Sequence, residues 1–326
     1  MNRIWINHDP ARVDLSYLFD HFSGKCEVIA KAVPNDPALY VPLAQQADVI
    51  IGGMESWNEQ TLSQIQGKVK MIQKFGMGID NIDLKAAANN GILVANILGA
   101  NSAAVAEIAL LHILNLGRRF VNCVNAVKGG SWPLAPQGLE LDGKTVGLLG
   151  FGNIARHLAR MLSGFHVKLL AYDLYLPDPA DFPNVEFVAT KEELFSRSDI
   201  VSLHIPCTPE TKGSINKAVF DIMKQGACLI NTCRGAVINE ADLVEALRSG
   251  KIAAAGLDVM CSEPPEWDNP LLSMENVYIT SHMGAESKEA ILRSQIIMAE
   301  AIDTFLAGGI PKFARNADLL HKNPEE

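Results

Sequence analysis

"TVGLLGFGNIARHL", Thr145–Leu158, decides how this chain is read: an apolar, β-prone run breaks into glycines and resumes as something helical. Gly150, Gly152 and Ala155 fit the G-x-G-x-x-G/A turn between strand and helix that cradles a dinucleotide pyrophosphate. Gly150 permits the tight turn, Gly152 lets backbone amides approach the phosphates, and Ala155 leaves room for close helix–strand packing. Glycines also sit in plain βα turns, so context has to decide. The next apolar run, "VKLLAYD", ends at Asp173, about twenty residues on, where an acid bonds the ribose hydroxyls of NAD. The same charge repels the extra phosphate of NADP, and "YDLYL" offers no Arg or Lys to receive it. The expected cofactor is NAD.

The turn opens a series of candidate strands, "TVGLLG", "VKLLAYD", "VEFVA", "DIVSLHIP", "ACLINT", "AAAGLDV" and "VYITS", separated by helix-length segments. That is a doubly wound α/β pattern. Before it, "RIWIN", "CEVIAKAV", "ADVIIGG", "VKMIQKF" and "GILVAN" read as a smaller parallel-sheet domain. Two long helices stitch the halves together. The first starts at Asn101 or Ser102, both good N-cap types, and runs to about Arg119; being apolar nearly all round, it is expected to be buried on more than one side, including by a second subunit. The second starts near Ser287, stops at Gly308 and Gly309, and places Ile291, Met298, Ile302 and Phe305 at near-helical spacing. The expected organisation is a discontinuous smaller domain, residues 1–100 and 288–326, around a doubly wound domain of residues 101–287.

Composition narrows the partners. The 326 residues exceed what one core sustains, so two domains are expected. A net charge of -9 argues against nucleic acid or an anionic membrane, either of which needs a basic face. The longest greasy segment, Ala103–Leu116, is interrupted by Glu107 and His112 and is too short to span a bilayer. Cysteines 26, 123, 207, 228, 233 and 261 form no CxxC pair, which fits reduced thiols in the cytoplasm and no metal site. A disorder-like composition is confined to the terminal "HKNPEE".

In an open parallel sheet, reactive groups gather beyond the carboxyl ends of strands. Arg234 follows "CLINTC", Glu263 follows "GLDVM", and His282 follows "VYITS". Hydride transfer to a keto acid needs a proton for the carbonyl oxygen, which a histidine with an adjacent carboxylate donates near neutral pH. An arginine grips a substrate carboxylate with its planar fork. Taken singly, Glu263 reads equally as a loop acid, Arg234 as a surface cation and His282 as a helix cap. His204, in "LHIP" at another strand end, is a rival proton donor that spacing alone does not exclude.

Over essentially its whole length the sequence resembles the NAD-dependent D-2-hydroxyacid dehydrogenases. "KFGMGIDNID" (Lys74–Asp83), "GANSAAVAE" (Gly99–Glu107), "GFGNIAR" (Gly150–Arg156), "HIPCTPET" (His204–Thr211), "INTCRGAVINE" (Ile230–Glu240), "GLDVMCSEPP" (Gly256–Pro265) and "TSHMGAES" (Thr280–Ser287) occur in that family's order. The resemblance implies a Rossmann NAD-binding domain inserted in a flavodoxin-like substrate domain, and a homodimer. It implies that Arg234 holds a small-molecule 2-oxo or 2-hydroxy acid, that Glu263 pairs with His282, and that His282 is the acid–base. It makes His204 a cofactor-side residue, sets Asp258 against the nicotinamide carboxamide and lines the cofactor path with Thr232 and Cys233. Asn153, Ile154, Ile205, Pro206, Thr211 and Gly284 join Gly150, Gly152 and Asp173 on the cofactor side by the same resemblance. Lys74 and the backbone amides of Met77 and Gly78 fall to the substrate.

Departures from the family's pattern bear on the substrate. Ala155 replaces the third glycine, and Cys207 and Cys233 stand where Leu and Ala or Ser are more usual. Glu263 disfavours formate, since formate-oxidising relatives carry Gln there. The motifs look most like the phosphoglycerate-dehydrogenase-like branch, yet "IIGGMES" lacks the Arg that branch uses for a substrate phosphate, leaving Lys74 as one charge. Hydroxypyruvate or glyoxylate is the expected substrate, with D-3-phosphoglycerate second. A different class, an NADH-sensing scaffold like the family's corepressor members, is one alternative; an NAD-retaining hydrolase of related fold is another, disfavoured because the chain carries the dehydrogenase triad and motif order.

Overall fold

The computed structural model describes residues 1–133 and 138–320; "HKNPEE" lies outside the described residues. β1 (Asn2–Ile6), β2 (Cys26–Ala30), β3 (Val49–Gly52), β4 (Met71–Lys74) and β5 (Leu93–Ala95) pair in parallel in the order β2-β1-β3-β4-β5. β6 (Thr145–Leu149), β7 (Lys168–Tyr172), β8 (Val185–Phe187), β9 (Ile200–Leu203), β10 (Ala227–Asn231), β11 (Ile252–Leu257) and β12 (Val277–Ile279) form a second parallel sheet, β12-β11-β10-β9-β6-β7-β8. The chain divides into two units, one of Met1–Asn101 with the chain from Glu286 onward, the other Ser102–Ala285.

Alternation across a sheet explains why the strands read as unbroken apolar runs. Ile4 and Ile6 of β1 join one core with Val49, Ile51 and Met71, while Trp5, Ile50 and Ile72 join the core on the opposite face. In the larger sheet Val146, Leu148, Leu169 and Ala171 face one core and Leu149, Leu170, Val201 and Leu203 the other. Strands covered on both faces have no polar period to show. In the larger sheet β6 is the turning point: the chain runs from it through β7 to β8 on one side, then returns to β9 on the other. Beyond the carboxyl ends of β6 and β9 lies the switch point at which open α/β sheets bind ligands.

The helices differ from the sequence reading in three places. The long helix spans Ser102–Arg118, but Ser102 is its first helical residue and its buried hydroxyl has no hydrogen-bond partner among the described residues, so it does not cap. That helix leaves Leu111 and Leu114 exposed within its own unit. At Arg119 the backbone turns left-handed (φ 49), and a second helix, Phe120–Lys128, follows with no buried residue at all. The last long helix, Lys288–Leu306, is capped by Ser287, whose hydroxyl accepts from the Ala290 amide at 3.1 Å, and Gly308 beyond it takes φ 83. Its buried face holds Met298 and Ile302 but also Gln295, whose Nε2 donates to the Asp14 carbonyl at 2.7 Å. No described helix is long and apolar enough to cross a membrane.

Candidate active site

The glycine turn sits where β6 ends. Gly150 takes φ 89, and a Cβ there would lie 2.5 Å from the His204 carbonyl oxygen, so glycine is required both by conformation and by the close passage of the next strand's loop. Beside Gly152 there is nothing within 4 Å of an ideal Cβ, and no side chain caps the Asn153–Leu162 helix that it begins. The first-turn amides of Asn153 and Ile154 are thus left for an anion at a positive helix end. Ala155 is fully buried against the core beneath.

Asp173, just past β7, does more than sequence reading assigned it. One carboxylate oxygen accepts the Phe151 amide at 2.6 Å and the other accepts the Tyr175 amide at 3.0 Å, tying the strand end to the glycine turn. A carboxylate has lone pairs to spare beyond these two, enough for a ribose diol. Past β9, the His204 amide donates to the Leu149 carbonyl at 2.7 Å while both ring nitrogens are buried without a hydrogen-bond partner among the described residues. Burial pushes the His204 imidazole down to about 4, so it is neutral at pH 7. Ile205 and Pro206 continue that loop, which Thr211 closes by donating its hydroxyl to the Pro206 carbonyl at 2.6 Å. Beyond β10, the Thr232 hydroxyl is also buried with no partner among the described residues. Orphaned donors and acceptors at two strand ends, open space at Gly152 and an uncapped helix are what a dinucleotide would satisfy.

Arg234, Glu263 and His282 come together at the ends of β10, β11 and β12. His282 Nδ1 lies 2.7 Å from Glu263 Oε2, and Glu263 Oε1 accepts the Met260 amide at 3.0 Å. The hydrogen bond to Glu263, with that group's charge, raises the His282 pKa against partial burial and Arg234. Burial pulls Glu263 upward, but the bonds from His282 and Met260 and the charges of His282 and Arg234 outweigh it and leave the carboxyl below its usual value. Because Nδ1 is engaged, Nε2 is the nitrogen from which a proton can leave. His282 itself takes φ 55, left-handed for a residue with a Cβ. The cap of the following helix is Ser287, so His282 has no capping role.

Three supports were not legible in the sequence. Asn231, fully buried at the end of β10, accepts from the Cys233 amide at 3.0 Å and donates to the Arg234 carbonyl at 2.9 Å, folding the turn that carries Arg234. A Cβ on Gly235 would lie 2.0 Å from the Met260 carbonyl carbon, so only glycine lets the Arg234 loop pass the Glu263 loop. Asp258, 1% exposed, accepts the Thr280 hydroxyl and the amides of Met283 and Gly284. Burial pushes the Cys233 thiol up to about 11, which leaves it protonated.

Lys74, Met77 and Gly78 belong to the other unit, at and beyond the end of β4. The Met77 carbonyl accepts from Asn96 Nδ2 at 2.6 Å, which fixes that loop. The Lys74 side chain is buried, and its ammonium donates to the Gly53 carbonyl and, at 3.0 Å, to Asn81 Oδ1. Among the described residues no group of three or more His, Cys, Asp or Glu is placed to hold a metal ion.

Comparison with known proteins identifies the family. Residues 110–284 match the family described as D-isomer specific 2-hydroxyacid dehydrogenase, NAD binding domain. The chain is 43% identical to hydroxypyruvate reductase of Thermotoga maritima, over 84% of this chain and 86% of that protein. It is 31% identical to glyoxylate reductase of Korarchaeum cryptofilum over 99% and 98% of the two chains. Among solved structures, D-mandelate dehydrogenase of Rhodotorula graminis superposes with a TM-score of 0.85 at 30% identity, covering 96% of this chain and 97% of that one. The chain belongs to the D-isomer specific 2-hydroxyacid dehydrogenase family. It spans about half the length of other curated relatives, which are named D-3-phosphoglycerate dehydrogenase.

Proposed function

We propose that this protein is an oxidoreductase that exchanges hydride between NAD(H) and a small D-2-hydroxy or 2-oxo acid, hydroxypyruvate or glyoxylate foremost. The observation that carries the reading is the His282–Glu263 pair at 2.7 Å, in the same unit as the glycine turn and within electrostatic reach of Arg234. Gly150, Gly152, Asn153, Ile154 and Asp173 hold the cofactor's phosphates and ribose, and His204, Ile205, Pro206, Thr211, Thr232, Cys233, Asp258 and Gly284 line its path. Bound NADH supplies the hydride. Arg234 grips the substrate carboxylate as a planar fork, and the Met77 and Gly78 amides take its remaining lone pairs. In reduction, His282 releases the proton on Nε2 to the carbonyl oxygen, and Glu263 stabilises the protonated ring and fixes its tautomer. In oxidation, neutral His282 takes that proton back.

The stretch "IIGGMES" at the end of β3 carries no Arg for a substrate phosphate, which supports an unphosphorylated substrate over D-3-phosphoglycerate. The smaller unit is accordingly the substrate domain and the larger the cofactor domain. We further propose a cytoplasmic homodimer, a reading supported by six unpaired cysteines and by exposed Leu111, Leu114, Phe120 and Val127. A panel of 2-oxo acids followed by NADH absorbance tests the activity. Turnover is expected with hydroxypyruvate or glyoxylate and NADH, and weakly with NADPH. No turnover on the panel, together with NADH-dependent capture of protein partners, would favour a sensing scaffold.

A further inference from the structure

His112 stands in the apolar stretch of the Ser102–Arg118 helix and is 3% exposed. Burial lowers its pKa, against a smaller upward pull from Asp258, so the ring is held neutral. A neutral imidazole in an apolar helix is costly to bury unless it is hydrogen-bonded. Its Nε2 lies 3.2 Å from Thr280 Oγ1, 168 residues away in sequence. The Thr280 hydroxyl is in turn 2.5 Å from Asp258 Oδ1.

The direction of this chain follows from its far end. Asp258 has three donors aimed at it, from Thr280, Met283 and Gly284, so it acts as an acceptor only. The Thr280 hydrogen therefore goes to Asp258, the hydroxyl's lone pairs are left for His112, and the ring must carry its hydrogen on Nε2. Strand β11 makes room for this ring: a Cβ on Gly256 would lie 2.8 Å from His112 Cβ, Cγ and Nδ1. The two amides that Asp258 accepts, at 2.9 and 2.8 Å, are those directly after His282. That residue's left-handed backbone (φ 55) persists only where its surroundings over-determine it.

We propose that His112 is a positioning residue for the reaction: through Thr280 it orients Asp258, and Asp258 clamps the backbone that aims His282. The inference rests on the reading of His282 as proton donor. The Nε2–H donor at position 112, rather than the ring's bulk, is what the relay needs.

The test uses His112→Leu, His112→Gln, Thr280→Val and the Leu/Val double variant. In His112→Leu, kcat should fall about tenfold with the 2-oxo acid KM changed less than about twofold, the mark of a misaimed group rather than lost binding. His112→Gln, which restores an N–H donor at similar reach, should recover most of the loss. Thr280→Val should match His112→Leu, and the double variant should lose little more than either, because both break one relay. If His112→Leu does not fold, Thr280→Val and His112→Gln still read the link. Unchanged kcat in His112→Leu, a His112→Gln variant as impaired as His112→Leu, or multiplicative losses in the double variant would each overturn the proposal. If His282→Ala keeps its turnover, the reading of the site fails; if only the His112 series is inert, this inference alone fails.

Discussion

Both units place a histidine, a carboxylate and a cation beyond the ends of parallel strands, and the two clusters behave in opposite ways. Arg234, Glu263 and His282 are partly open to solvent, with the imidazole paired directly to the carboxylate; the histidine's pKa is raised and the acid's lowered. His8, Glu55 and Lys74 gather at the ends of β1, β3 and β4. There Glu55 is 1% exposed, burial raises its pKa, and Asn7 Nδ2 donates to it. His8 stacks on Phe75 with ring centroids 4.4 Å apart, keeps Nδ1 buried with no partner among the described residues, and is pushed down to about 4 by burial and then by Lys74. An inventory of residue types does not make an acid–base site. Direct pairing and access to solvent favour the charged forms of His282 and Glu263, and desolvation disfavours those of His8 and Glu55.

The largest contrast is expected in turnover. His282→Ala should lower kcat by about 10²- to 10⁴-fold, the range for losing a general acid, while NADH binding followed by fluorescence stays nearly intact. Retained turnover would move the acid elsewhere, and His204 is a poor heir because its ring is neutral at pH 7.

The second effect is on stability, and it belongs to the other cluster. His8 binds its proton near pH 6.5 when unfolded but only near pH 4 when folded. The unfolded chain therefore takes up the proton first, and stability falls as pH drops from 6.5 towards 4. The loss is on the order of 3 kcal/mol in all, at about 1.4 kcal/mol per unit of separation. Urea midpoints measured from pH 7 to pH 4.5 should fall in the native protein and stay flatter in His8→Gln. Identical slopes would show that His8 is not the group that titrates.

What the sequence made legible follows the range of the contacts involved. The glycine turn and the apolar strands are local patterns, and Arg234, Glu263 and His282 each sit within a few residues of a strand's end, whereas the switch of strand order at β6 is set by pairings distant in sequence. His112 looked like an interruption in an apolar helix, because its partner Thr280 lies 168 residues on. Asn231 reads as one more polar residue in "INTC", although it folds the Arg234 turn. The Phe120–Lys128 helix carries Phe120, Val124 and Val127 at helical spacing, yet it buries nothing within its unit, so no core contact distinguishes it from a loop. Glu55 and His8 carried no signal of burial, since each is polar in a strand-end loop and only the packed structure removes water from them.

The smallest effect separates the charge of Glu263 from its hydrogen bond. Glu263→Gln keeps an acceptor for His282 Nδ1–H but loses the negative charge that helps raise the imidazole's pKa. Reduction needs protonated His282, so its rate declines as pH rises through that raised pKa. In the variant the decline should begin at lower pH, giving about tenfold lower kcat/KM at pH 8 and a narrowing gap towards acid. Oxidation needs the neutral ring, so its rising limb should move to lower pH in step. Profiles of variant and native protein that stay parallel across this range would mean that Glu263 orients the ring without tuning it, and the contrast between the two clusters would then rest on burial alone.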